Sequence, residues 1–290
     1  MHTVDRYVYP HDGRISVSTE GFLIVNKYSD RYTDIRRVAD VDGGILIGEG
    51  GMGKTTFLKC LPSAFPEAQT ALFELAHYRQ DPHSLIQDVN FFREDISDED
   101  SYLLILDGFD EAPELAGALT RILRQQPKAA RIWVGSRDIP AVETLRSVRD
   151  ELLVYKLAPL QTSDVAAIAQ DKNVDPEAFV GVIYEKGLTQ ICAKPLGCQF
   201  AISAFQKDGL AASSAEELWR AGIKELCDET PSETKRLIGR AKFTVDDVYQ
   251  CAEWIGLCLE FNMKPYVWLG ETSLCPEDSI SLDQLVTDTF

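Results

Sequence analysis

The sequence predicts an α/β fold, a parallel five-stranded sheet flanked by helices with an all-helical segment after it. Three observations carry that prediction. Short apolar runs rich in β-branched residues recur as far as Leu157 and alternate with stretches of helical period. A glycine-rich stretch, Gly48-Glu49-Gly50-Gly51-Met52-Gly53-Lys54-Thr55, stands between one such run and a helix-forming stretch. From Gln161 the apolar spacing turns helical, and no strand-like run returns before Tyr266.

In chain order, residues 1–42 are a mixed lead-in. Phe22-Leu23-Ile24-Val25 reads as a strand, and the polar stretch Asn26 to Asp40 follows. The lead-in is expected to pack at an edge of the sheet. Ile45-Leu46-Ile47, behind Gly43-Gly44, reads as a buried strand, and Thr55 to Leu61 as a helix stopped by Pro62. Ala71 to Leu75 reads as the second strand. Ser84 is a candidate cap for a helix carrying Leu85, Ile86 and Val89, and the acidic stretch Phe91 to Asp100 reads as a solvated loop. Tyr102 to Leu106 is a nearly continuous apolar run, as expected of a strand buried on both faces. Pro113 opens an amphipathic helix with Leu115, Ala118, Leu119, Ile122 and Leu123 on one face. Arg131 to Gly135 and Leu152 to Leu157 complete the five strands.

Beyond Gln161, helix starts are signalled at Ser163-Asp164, Asp175-Pro176, Ser214-x-x-Glu217 and Thr244-x-x-Asp247. Ala193-Lys194-Pro195-Leu196 interrupts before Cys198 to Phe205, and Asp228 to Glu233 reads as a linker. Lys264 to Gly270 reads as a further strand. The resulting division is 1–42 lead-in, 43–160 sheet domain, 161–232 helical lid and 233–290 C-terminal segment.

The chain has 290 residues and a formal net charge of -17, from 29 Lys+Arg against 46 Asp+Glu. Such a charge repels nucleic-acid backbones and anionic membranes, which argues against both as partners. Seven cysteines form no C-x-x-C pair, and several lie within apolar runs, as reduced core thiols do. That usage points to a cytoplasmic protein. No secretory signal pattern and no apolar run of about 20 residues is present.

The octapeptide matches G-x-x-x-x-G-K-[ST], the loop that cradles nucleotide phosphates. Glycines let backbone N–H groups turn inward, and the helix that follows presents its positive end to the anion. In this pattern Gly48, Glu49, Gly50, Gly51, Met52, Gly53, Lys54, Thr55 and Thr56 form the binding loop. Lys54 would reach the β- and γ-phosphates and Thr55 would hold Mg²⁺. Asp107 ends the apolar strand at the crevice where α/β sheets bind ligands, the place of a magnesium-holding acid. Asp110 and Glu111 follow at a spacing that suits activation of water, with Glu111 favoured and Asp110 close behind. Arg137, after the next strand, is placed to contact the γ-phosphate; its alternative partner is Asp138. Tyr32 or Ile35 is an optional contact for the base.

Together, Gly48 to Thr56, Leu103-Leu104-Ile105-Leu106-Asp107-Gly108-Phe109-Asp110-Glu111 and Gly135-Ser136-Arg137 resemble the NACHT branch of the STAND P-loop NTPases. Phe73 to Arg79 is similar to that family's second strand and its exit. The resemblance covers about Gly43 to Leu196 and implies ATP or ADP with Mg²⁺ as cofactors and slow hydrolysis. It also implies self-association into an ATP-driven oligomer on an unidentified trigger, in immune or antiphage signalling. Pro195 matches the proline that the helical lid sets against the adenine, and the C-terminal segment corresponds to part of a winged helix. Two departures stand out. Asp138-Ile139 separates Arg137 from Pro140, and no histidine follows His83 to serve as the winged-helix latch on ADP. The family is usually longer, so the chain is expected to be part of a larger protein. The alternatives are another additional-strand ATPase that acts on DNA, a nucleotide-binding scaffold without hydrolysis, and a small-molecule kinase.

Overall fold

The computed structural model describes residues 6–25, 33–34, 43–94, 96–97, 101–127, 130–137, 139–212, 214–228, 244–261, 266–268 and 279–281. Tyr32, Ile35 and Asp138 lie outside them. The strands are β1 Tyr7–Pro10, β2 Thr33–Asp34, β3 Gly43–Ile47, β4 Gln69–Glu74, β5 Tyr102–Asp107, β6 Arg131–Ser136 and β7 Leu153–Leu157. Between them run α1 Lys54–Cys60, α2 Pro82–Glu94, α3 Ala116–Gln125 and α4 Ile139–Arg146. The sheet order is β2-β1-β7-β3-β6-β5-β4. The five expected strands pair in parallel, with β3 between β6 and β7.

Side-chain alternation along the central strands divides the core. Ile45 and Ile47 join Leu104, Leu106, Ile132 and Val134 under α2 and α3. Leu46 joins Leu103, Ile105 and Trp133 under Phe57 and Leu58 of α1. A period of two therefore feeds both faces, which is why β3 and β5 are buried at every position. Each such Leu or Ile contributes about 1.5–3 kcal/mol on burial.

Several local expectations need correction. The sheet gains two antiparallel strands at its edge, β1 on β7 and β2 on β1. Phe22-Leu23-Ile24-Val25 is no strand. Ser18 to Phe22 closes a tight turn through Gly21, at φ 87°, and Leu23 makes only an isolated bridge to Val17. The helix at Ser84 begins at Pro82 and is capped by Asp81, whose carboxylate accepts the His83 and Ser84 N–H groups. It runs on through Phe91 to Glu94, so the start of the expected loop is helical. Pro113–Leu115 is a short 3₁₀ turn before α3 rather than the first turn of one helix.

After β7 come α5 Thr162–Asp171, α6 Pro176–Glu185, α7 Thr189–Cys192 and α8 Pro195–Asp208. Gln161 and Asp164 form a reciprocal cap on α5, and Asp175 caps α6 through the Glu177 and Ala178 N–H groups. Residues 1–215 form one compact unit that holds the sheet and α5 to α8. The second unit, residues 216–290, carries most of α9 Ala215–Asp228, α10 Val245–Phe261 and the parallel pair β8 Tyr266–Trp268 and β9 Ser279–Ser281. Thr244 and Asp247 form the expected capping box on α10. Among the described residues no helix is long and apolar enough to cross a membrane.

Candidate functional site

The site forms where β3 gives way to α1. Gly51 and Gly53 take φ of 76° and 84°, a region costly for other residues, and the loop turns around them. Gly51 is also required by space, because a Cβ there would lie 2.8 Å from the Leu196 Cβ. A Cβ on Gly53 would stand in ordinary contact with Pro195 at 3.6 Å, so the start of α8 rests on the loop. The Leu196 N–H donates to the Gly51 carbonyl at 3.2 Å, and Lys194 pairs with Glu49 at 2.6 Å. That pair holds the Glu49 carboxyl below its ordinary range.

A cleft of about 460 Å³ opens over the loop, within the size range of small-ligand sites. Gly50, Gly51, Gly53, Lys54 and Thr55 line it from one side, and Asp107, Asp110, Glu111 and Arg137 from the other. Met52 turns its side chain into the core, Thr56 sits exposed on the first turn of α1, and the Gly48 carbonyl accepts from Lys54. Lys54 also donates to the Glu49 carbonyl at 3.1 Å.

Asp107 ends β5 with 8% exposure. Gly135 on β6 makes room for it, since a Cβ there would meet the Asp107 Oδ1 at 2.4 Å. The chain then turns through Gly108, at φ 83°, into a 3₁₀ turn that carries Asp110 and Glu111. Here the two acids part. Asp110 has a side chain only 4% exposed, accepts the Arg137 backbone N–H at 2.8 Å and pairs with its Nε at 3.2 Å. Glu111 is 48% exposed and meets the Arg137 Nη2 at 2.9 Å. Burial raises the Asp110 carboxyl above 3.8, against the pull of Arg137. Asp110 thus acts as a buried clamp on Arg137, and Glu111 faces the open cleft.

These residues fit a magnesium nucleotide. The donor set is a lysine, an arginine and backbone N–H groups for phosphate, with a hydroxyl and a carboxylate for a hard cation. The sequence reading missed Lys59 and Glu74, which pair at 2.8 Å along the same cleft. It also missed Lys194 as the partner of Glu49. Glu74 pairs in register with Asp107, which sets it at the same end of the sheet.

Desolvation by burial lowers the Lys54 ammonium below 10.5, opposed by Asp110, Asp107 and Glu111. Its charged form is present at neutral pH and is lost as pH rises through that lowered value. Affinity for ATP is therefore expected to decline before pH reaches 10.5 in an alkaline titration of the dissociation constant. Constant affinity up to that pH would count against Lys54 as a phosphate contact.

No family model matches the sequence, and no curated protein matches it. Among solved structures the chain is similar to the Aeropyrum pernix Orc1 protein in complex with DNA. The two are 16% identical over 69% of this chain and 68% of that one, with a TM-score of 0.42.

Proposed function

We propose that this chain is a Mg²⁺-dependent, ATP- and ADP-binding switch of the NACHT-type STAND kind that hydrolyses ATP slowly and self-associates in its ATP-bound form. The observation that carries the reading is the seat of α8 on the phosphate loop, through Lys194–Glu49 and the Leu196 N–H to the Gly51 carbonyl. A ligand held by this loop is held beside the lid as well. It shifts the lid only by its differential affinity for the two positions, and a loop shared with the lid supplies that difference.

The roles follow from placement. The N–H groups of the loop and Lys54 hold the phosphates. Thr55 and Asp107 would hold magnesium, which would supply charge neutralisation for the phosphates. Glu111, open to the cleft, takes the proton of the attacking water, and Asp110 fixes the direction of Arg137 toward the transferred group. Pro195 lies beside Gly53 of the loop, and in this reading it is the lid residue that would meet the base. Such switches act in immune or antiphage signalling, with the trigger set by sequence outside this site.

A second reading, a DNA-associated additional-strand ATPase, fits the insertion of β6 between β3 and β5 equally well. One experiment separates them. The nucleotide that co-purifies is identified by mass spectrometry, then exchanged for ATP with Mg²⁺ while mass is followed by light scattering. ADP in the purified protein and a larger assembly with ATP support the switch. Turnover stimulated by duplex DNA, with a steep salt dependence and no change in mass, supports the second reading.

A further inference from the structure

Arg6 lies just before β1, and the pairing of β1 with β7 carries it to the point where the chain leaves the sheet for the lid. Val8 pairs with Leu157, and the Ala158 N–H donates to the Tyr7 carbonyl at 2.9 Å. From there the Arg6 Nη2 donates to two carbonyls, Ala158 at 2.9 Å and Met52 at 3.1 Å. The first belongs to the crossing into the lid and the second to the phosphate loop. Asp164, whose carboxylate caps α5 through the Gln161 N–H at 2.7 Å, supplies the opposing charge. The Nη1 is closed off from solvent and has no hydrogen-bond partner among the described residues.

A buried guanidinium with an unmet donor is expensive, so its retention calls for a geometric reason. The reason lies in the Met52–Gly53 peptide. A trans peptide points its C=O and its N–H in opposite directions. Holding the Met52 carbonyl against Arg6 turns the Gly53 N–H the other way, and Gly53 lines the cleft.

We propose that Arg6 is a positioning residue for the nucleotide site: it fixes the Met52–Gly53 peptide so that the Gly53 N–H faces the phosphates, and it ties that peptide to the root of the lid at Ala158. The proposal rests on the reading of the cleft as a nucleotide site. It makes Arg6 part of the binding machinery through the Met52–Gly53 peptide.

The test compares wild type, Arg6→Met and Arg6→Lys in the whole chain. Each is measured for dissociation constants with ATP and ADP, for KM and kcat, and for thermal melting without nucleotide. Arg6→Met keeps the aliphatic stem and removes the donors. It is expected to weaken both nucleotides by about tenfold or more, with the loss falling mainly in KM and partial rescue in Arg6→Lys. A fall in melting temperature with unchanged affinity would overturn the proposal, because it would mean a structural role only. If Arg6→Met does not fold, hydrogen exchange on wild type decides. Nucleotide should raise protection of the amides of Tyr7, Val8 and Tyr9, and unchanged protection overturns the proposal. Wild type that binds neither nucleotide sinks the nucleotide reading itself, whereas wild-type binding with an unaltered Arg6→Met variant sinks only the role of Arg6.

Discussion

Lys54→Ala is expected to abolish measurable binding of both ATP and ADP. Lys54 is the cation that rises from the loop into the cleft, and its ammonium rests on the carbonyls of Gly48 and Glu49. Those contacts are replaceable ones, ready to give way to a phosphate. A hydrogen bond to a charged group contributes about 1.5–3 kcal/mol, so one contact alone accounts for a factor on the order of 10–150 in affinity. Lys54 also balances Asp107, Asp110 and Glu111 across the cleft. Without it an anion would enter a site lined by four carboxylates, Glu74, Asp107, Asp110 and Glu111, which adds repulsion to the lost contact. Isothermal titration with each nucleotide checks this. Tight ATP binding by the variant would show that the phosphates bind elsewhere.

Glu111→Gln is expected to bind ATP as tightly as wild type and to hydrolyse it about 100-fold more slowly or worse, the usual scale for loss of a general base. Glutamine keeps the size of the side chain and its contact to the Arg137 Nη2 while losing the basic oxygen. The neighbouring Asp110→Asn variant should behave differently. Its side chain is buried against Arg137, and asparagine still accepts the Arg137 N–H, so a milder loss of turnover is expected. The raised Asp110 carboxyl gives that residue a pH signature. Its ionised form is the costly one in the fold, so the cost applies at neutral pH and is relieved as pH falls through the raised value. Single-turnover rates of both variants decide the assignment. Wild-type turnover in Glu111→Gln with loss in Asp110→Asn would make Asp110 the base.

The loop and its strand could be read from the sequence because they are local. Their geometry depends on glycines, a short apolar run and a helix start within a few residues of one another. The same holds for Asp107, which needed only a buried strand in front of it. The division of labour between Asp110 and Glu111 could not be read. It depends on the backbone of Arg137, which reaches them only once β5 and β6 are paired. Asp175 announced its helix correctly, whereas Asp81 was passed over for Ser84 because both residue types cap and one sits nearer the apolar face. The edge strand was placed at Phe22, where two neighbouring large apolar residues suggested it. Tyr7–Pro10, with a terminal proline and half-exposed positions, gave a weaker pattern than the turn that follows it. Arg6 and Lys194 carried no local signal, since each matters through a partner far away in the chain.

The sheet order has a bearing on how the protein is made. The strand in front of the phosphate loop finds its two neighbours only at residues 131–136 and 153–157, roughly a hundred residues downstream, which places this fold among those governed by non-local pairing. During synthesis the octapeptide leaves the ribosome roughly a hundred residues ahead of Leu157, and its strand stays without both neighbours until then. β1 must likewise wait for β7. The proposed nucleotide site is therefore assembled well after its motif is made, and a chain that stops before Leu157 is expected to carry the whole motif without the ability to bind.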